Sequence, residues 1–80
     1  HIQFSKEALK FLEKEGLKNK VLEALRSFIN GKHADIKKLT GEWKGYYRLR
    51  VGKARVILFF DFQENRIVIV KAGYRGKIYK

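Results

Sequence analysis

Residues 46–60 read YYRLRVGKARVILFF, and the pairing of this stretch with itself decides the fold. Side chains along a β-strand alternate between faces, so Arg48 and Arg50 share one face while Leu49 and Val51 share the other. Gly52-Lys53 has the chemistry of a two-residue hairpin turn, which pairs Val51 with Ala54 and therefore Arg50 with Arg55. Like charges directly opposite each other destabilise a sheet. A small domain that keeps such a pair implies an anion to place there. Tyr47, Leu49, Val51, Val56 and Leu58 then form the core face.

Toward the C-terminus the returning strand runs from 54 to 62, a turn falls at Gln63-Glu64-Asn65, and the β-branched run Ile67, Val68, Ile69, Val70 forms a further strand. That run is apolar on both parities, which predicts a central strand covered on both faces. Toward the N-terminus, residues 32–45 form a loop rich in lysine and glycine, with a short extended piece over 36–39. A helix over about 18–30 precedes it. Its apolar positions Val21, Leu22, Leu25, Phe28 and Ile29 fall on one face, expected to be sheet-facing core rather than a partner groove, and Gly31 ends it. An earlier helix starts at the N-cap Ser5, has Glu7 in its first turn, carries Ala8, Leu9, Phe11 and Leu12 as its apolar stripe and stops at Gly16. Ile2 and Phe4 mark a short first strand. The brief gap between the helices implies an antiparallel helical hairpin.

The expected fold class is α+β: a two-helix antiparallel hairpin packed on one face of a three- to four-stranded, mainly antiparallel sheet, all in one domain over residues 1–80. The opposite face carries the arginines. One register question bears on them. A two-residue Glu64-Asn65 turn sets Phe62 against Ile67 and Arg55 against Tyr74, which drives Lys71 and Arg75 to the helix-covered side. A buried, unpaired lysine is costly. An odd-length turn, or a bulge near Gly73, moves both onto the arginine face and is the expected arrangement.

The 80-residue chain has a net charge of +11 and no cysteine, proline or methionine, which excludes disulfides and cysteine-based metal sites. No apolar run approaches the ~20 residues of a membrane span, and no signal-peptide pattern is present, so a cytoplasmic location is expected. The charge points to a polyanionic partner. Residues 1–42 hold nine basic and six acidic side chains, whereas residues 43–80 hold ten basic and two acidic. The excess thus lies in the strand-rich half.

With these elements in place, the order strand, two helices, LTGEWKGYYRLRVGKARVI, an apolar strand and a terminal GYRGKIY resembles the RelE/ParE superfamily of toxins, whose fold is microbial-RNase-like. The resemblance spans nearly the whole chain and is most specific in the hairpin, at Gly73-Tyr74-Arg75 and at Ile78-Tyr79. RelE-like members are metal- and cofactor-independent endoribonucleases that cut mRNA on the ribosome. They pair with an antitoxin. The resemblance implies catalytic roles for Arg48, Arg50, Arg55, Arg75 and Tyr79, and a cognate, RelB-like antitoxin, acidic and folding on binding. Arginines stand at Arg48 and Arg50 where the best-known ribonuclease members have lysines, and Tyr74 stands where histidine is frequent.

Cleavage of RNA without metal needs the 2′-hydroxyl to attack the adjacent phosphorus, and guanidinium groups stabilise the charge that develops on the phosphoryl oxygens. Arg55 and Arg75 are the candidates for that clamp, with Arg48 and Arg50 on flanking phosphates and Tyr79 stacking on a base or donating a proton. Lys44, Tyr46, Lys53, Lys71 and Lys77 are candidate RNA contacts. A general base is missing: arginine stays protonated and is a poor base, His1 and His33 lie outside the strands, and Asp61 lies about 20 Å from Arg55 along the strand. Lys44, Lys53, Lys71 and Lys77 are the stand-ins, with further groups supplied by the ribosome. Plainer readings sit beside these. Arg48 and Arg50 can be solvated residues of an exposed face, Trp43 is best read as a loop anchor, and Phe59, Phe60 and Phe62 as core or edge packing. Two other functions compete: a ParE-like poison of DNA gyrase without nuclease chemistry, and a plain basic nucleic-acid-binding module.

Overall fold

The computed structural model describes residues 1–74. Strand β1 (Ile2–Phe4) leads into helices α1 (Lys6–Lys14) and α2 (Lys18–Ile29). Strand β2 (Ile36–Lys38), a single 3-10 turn at Gly41–Trp43, and strands β3 (Tyr47–Val51), β4 (Ala54–Asp61) and β5 (Arg66–Tyr74) follow. They form a five-stranded sheet in the order β1-β5-β4-β3-β2. Every pairing is antiparallel except β1 with β5. The α+β class stands as expected. The sheet is wider than three or four strands because the short segments at Ile2–Phe4 and Ile36–Lys38 both add to its edges.

Local chemistry explains the helix ends. Ser5 Oγ accepts the Ala8 N–H at 3.2 Å as the N-cap of α1. Gly16, at φ +68°, lets the chain turn back so that Leu17 N–H reaches Leu12 O at 2.8 Å and Gly16 N–H reaches Glu13 O at 3.2 Å. This is the glycine C-cap with paired backward hydrogen bonds. Gly31 closes α2 in the same way, with Lys32 N–H on Ser27 O at 2.8 Å.

α1 lies over β5 and α2 over β3. The core between them is Ala8, Leu12, Val21 and Leu25 from the helices against Leu49, Val56, Leu58, Ile67 and Ile69 from the sheet. Leu12, Leu25, Leu49, Leu58 and Ile69 are fully buried, and each full burial of this kind contributes about 1.5–3 kcal/mol. The apolar stripe of α2 does not stay covered to its end. Phe28 rests against Phe60 but is 36% exposed, and Ile29 is 58% exposed, because Phe60 is the last inward-facing residue of β4.

β4, not β5, is the central strand, with Val56, Ile57 and Leu58 fully buried on both its faces. β5 is interior but its Val68 and Val70 are only half-buried. β4 ends at Asp61, and the turn to β5 spans residues 62–65, closed by Asn65 at φ +52°. The Asp61 carboxylate holds this turn, accepting from Glu64 N–H at 3.2 Å and Arg66 Nε at 3.1 Å. Phe62 therefore sits in the turn, 87% exposed, rather than in core or edge packing.

The register question is resolved by a bulge. Leu58 opposes Ile69 but Ile57 opposes Lys71, which leaves Val70 as the extra residue of β5. Past this point Arg55 faces Gly73 rather than Tyr74, and Lys71 joins the row of Ile57 and Arg48 on the face away from the helices. Ser5 secures the irregularity: its Oγ donates to Val70 O at 2.9 Å, and its N–H donates to Ile69 O at 2.8 Å.

Candidate nucleic-acid interface

Gly52, at φ +59°, and Lys53 form the two-residue turn between β3 and β4, and Val51 pairs with Ala54. A positive φ at the first turn position alone is the II′ pattern, whose twist matches the flanking strands. The turn sets Arg50 directly opposite Arg55. Across from Arg55 on its other side stands Gly73, which has no side chain to compete for the space. Arg50, Gly52, Lys53, Arg55 and Tyr74 surround a concavity of about 700 Å³ at this end of the sheet. Arg50 keeps 49% of its side chain open and Lys53 is exposed, so cationic groups reach solvent there.

Arg48 behaves differently. Its side chain is only 12% exposed, and its Nη2 donates to Asp35 Oδ1 at 2.9 Å. The second oxygen of Asp35 lies 3.9 Å from Arg50 Nη1. Arg48 Nε is buried without a hydrogen-bond partner among the described residues. Asp35 is brought to this position by β2, whose Ile36 pairs with Leu49, while Arg50 N–H donates to Asp35 O at 2.9 Å. Sequence reading passed over Asp35 as a loop residue. No local pattern marks it, since its role depends on β2 joining the sheet edge.

The other candidate contacts divide between two places. Lys53 lies with the arginine pair. Lys71 reaches over Trp43, with Nζ 5.5 Å from the ring centroid, in the middle of the outer face. Trp43 and Tyr46 pack edge-to-face at 5.3 Å, and Tyr46 does the same with Phe59 at 5.6 Å, so Trp43 anchors its loop. Lys44 and Tyr46 belong to a separate hollow at the far end of β3, about 13 Å along the strand from Arg50. The structure does not bring these two to the arginine pair. Arg75, Lys77 and Tyr79 lie outside the described residues.

Tyr74 points to the helix side at the rim of the concavity. Its ring packs edge-to-face on Phe11 at 5.1 Å, and its hydroxyl donates to the Glu15 carboxylate. That hydrogen bond, with burial and the negative charge of Glu15 adding to it, raises the Tyr74 pKa above 10.0. The phenol therefore stays protonated and ties the end of β5 to α1.

No protein-family model matches the sequence, and no curated protein matches it either. Solved structures do. The YoeB dimer from Staphylococcus aureus is 24% identical, covering 94% of this chain and 95% of that chain, with a TM-score of 0.71. A metal-bound toxin from Helicobacter pylori is 21% identical over 95% of this chain and 94% of that one, also at 0.71. The RelBE2 toxin–antitoxin complex from Mycobacterium tuberculosis matches at 24% identity over 92% and 95%, with a TM-score of 0.62. The two-helix, five-stranded architecture of this chain is the fold of these solved toxin structures.

Proposed function

We propose that this chain is the toxin of a toxin–antitoxin module and acts as a metal-independent endoribonuclease on mRNA held by the ribosome. The fold it shares with YoeB, YafQ and RelBE2 toxins supports the module. The cross-strand pair Arg50–Arg55 carries the chemistry, because two guanidinium groups facing one another across a ladder need an anion between them. With Lys53 at the turn they offer a phosphate diester a cationic cradle that can tighten as charge builds in the transition state.

Asp35 supplies the base that sequence reading lacked. Among the described residues it is the carboxylate within ion-pair reach of the arginine row, and it is 40% exposed. In this mechanism the 2′-oxygen bonds to phosphorus while its proton passes to Asp35. The bond from phosphorus to the 5′-oxygen breaks, leaving a 2′,3′-cyclic phosphate and a 5′-hydroxyl that takes its proton from water or from Tyr79. Arg50 and Arg55 hold the non-bridging oxygens, and Arg48 keeps Asp35 in place. A cognate antitoxin is the partner, as in the RelBE2 and YoeB–YefM complexes, and the +11 charge of this chain calls for an acidic one.

The test is to program ribosomes with a defined message, add the chain and map the new 3′ ends. A cut in the A-site codon that disappears with Arg50→Ala and Arg55→Ala together is the expected result. No cut, or an unchanged cut in the double variant, discards the nuclease reading.

A further inference from the structure

At the end of the sheet opposite the arginine pair, three phenylalanines form a column of near-parallel rings. Phe28 lies 5.9 Å from Phe60 with ring planes 22° apart, and Phe60 lies 6.2 Å from Phe62 with planes 27° apart. The column ends at Phe62, in the turn between β4 and β5, at 87% exposure. One face of its ring is turned to Phe60 and the other is open. Phe62, Phe60 and Tyr47 line a hollow of about 430 Å³, which Lys38 and Lys44, both exposed, border as well. Among the described residues no carboxylate lines it. Gly41 and Gly45 also border it, and neither has another group within 4 Å of where a side chain would begin, so the loop leaves the entrance unobstructed.

An open ring face, two ammonium groups beside it and no acidic side chain suit a nucleotide, whose base stacks on an aromatic ring while its phosphate meets a cation. A second copy would bring two chains of +11 together and set Lys38 and Lys44 against their own kind. An apolar protein segment would cover the rings but leave both lysines unanswered. We propose that this hollow is a second subsite for single-stranded RNA, in which a purine base stacks on the open face of Phe62 and an adjoining phosphate pairs with Lys38 and Lys44. A purine covers more of the exposed ring than a pyrimidine does, so the subsite favours adenylate over uridylate. The proposal rests on the reading of this chain as RNA-binding, and it adds a place outside the cradle where base identity is felt. The wall of the hollow at Tyr46 lies about 13 Å from Arg50 along β3. Exposed Lys37, opposite Arg48 on β2, stands at the sheet edge between them. A strand of a few nucleotides passing around this edge can hold a phosphate at Arg50 and Arg55 and a base at Phe62 together.

The experiment is an NMR titration of the isotopically labelled full chain with a short oligoadenylate. An oligouridylate and an abasic strand of the same length are the controls. Oligoadenylate is expected to shift residues 38–47 and 60–62 and to show upfield movement of its adenine ring protons, whereas all three strands shift the arginine end. Phe62→Ala should lower oligoadenylate affinity about tenfold, the scale of one lost base–ring stack, and leave oligouridylate affinity unchanged. Phe62→Trp retains the binding and Phe62→Leu loses it, because leucine keeps the apolar bulk without a ring face. Phe62 lies exposed in a turn, so these variants fold. Lys38→Ala with Lys44→Ala should flatten the salt slope for oligoadenylate by about 1.4, two phosphate contacts at about 0.7 each. Equal shifts at the hollow with the abasic strand, or full binding by Phe62→Leu, overturn the proposal. Shifts there with an acidic amphipathic peptide but not with oligoadenylate overturn it in favour of a protein partner. Self-association of the free chain that Phe62→Ala abolishes overturns it in favour of a second copy. Ribosome-dependent cleavage with no response at the hollow discards the subsite and retains the nuclease reading; adenylate binding at the hollow without cleavage does the reverse.

Discussion

Asp35 Oδ1 lies 2.9 Å from Arg48 Nη2, and the other oxygen of the same carboxylate lies 3.9 Å from Arg50 Nη1. The arginine row thus carries its own counter-ion, which a phosphate must share or displace. Arg48, at 12% exposure, serves to hold that carboxylate, while Arg50 remains half-open to ligand. Two consequences of opposite sign follow from one side chain.

Asp35→Asn keeps an oxygen acceptor for Arg48 but removes the charge and the capacity to take a proton. Single-stranded RNA should bind about two- to fivefold more tightly, in line with the ~0.2–1 kcal/mol scale of a solvent-screened ion pair. Cleavage on ribosomes should fall by about a hundredfold or more, the usual contribution of a general base. Fluorescence anisotropy and 3′-end mapping on the same preparation check the pair of effects. Tighter binding with undiminished cleavage assigns Asp35 to charge balance alone.

Among the described residues, three cations border the cradle: Arg50, Lys53 and Arg55. Each phosphate contact on a single strand contributes a slope of about −0.7 in log K against log salt, so their full engagement gives roughly −2. Removing Arg50 and Arg55 together should flatten the slope to about −0.7. Anisotropy of a labelled oligouridylate across a potassium chloride series measures it, and an unaltered slope in the double variant places the RNA elsewhere.

Ser5 both caps α1 and holds the bulge, accepting from Ala8 N–H and donating to Val70 O. Ser5→Ala should cost about 1–2 kcal/mol, the range of a lost N-cap together with an orphaned acceptor. Urea unfolding should show a lower midpoint with the same slope. A midpoint indistinguishable from that of the parent chain contradicts the role given to Ser5.

The Tyr74 phenol is raised by its hydrogen bond to Glu15. The folded chain holds this proton more tightly than the unfolded chain does. The associated stability is complete below the ordinary phenol pKa near 10.0 and is lost as pH climbs through the higher folded-state value. Glu15→Gln should move the Tyr74 titration to lower pH. The change in tyrosinate absorbance, taken as the difference from Tyr74→Phe, reports it, and a titration unmoved by the substitution rules Glu15 out as the cause.

Short-range chemistry was legible without coordinates. Gly52-Lys53 fits a two-residue turn, and strand alternation then requires Arg50 to meet Arg55, as it does. Ser5, Gly16 and Gly31 end their helices through hydrogen bonds to residues a few positions away, so the sequence alone located them. Those interactions close within one turn of chain, and their cost in chain entropy is small. Other features depend on partners far along the chain. β1 pairs with β5 across more than sixty residues, Asp35 meets Arg48 only because β2 joins the edge, and the bulge at Val70 is held by Ser5 from the opposite terminus. The exposure of Phe62 and Ile29 was equally hidden, since apolar periodicity marks a face and not whether another element covers it. Sequence set which side chains share a surface; long-range packing chose what lies against each one, because burial and charge pairing are properties of neighbours that only the closed sheet brings together.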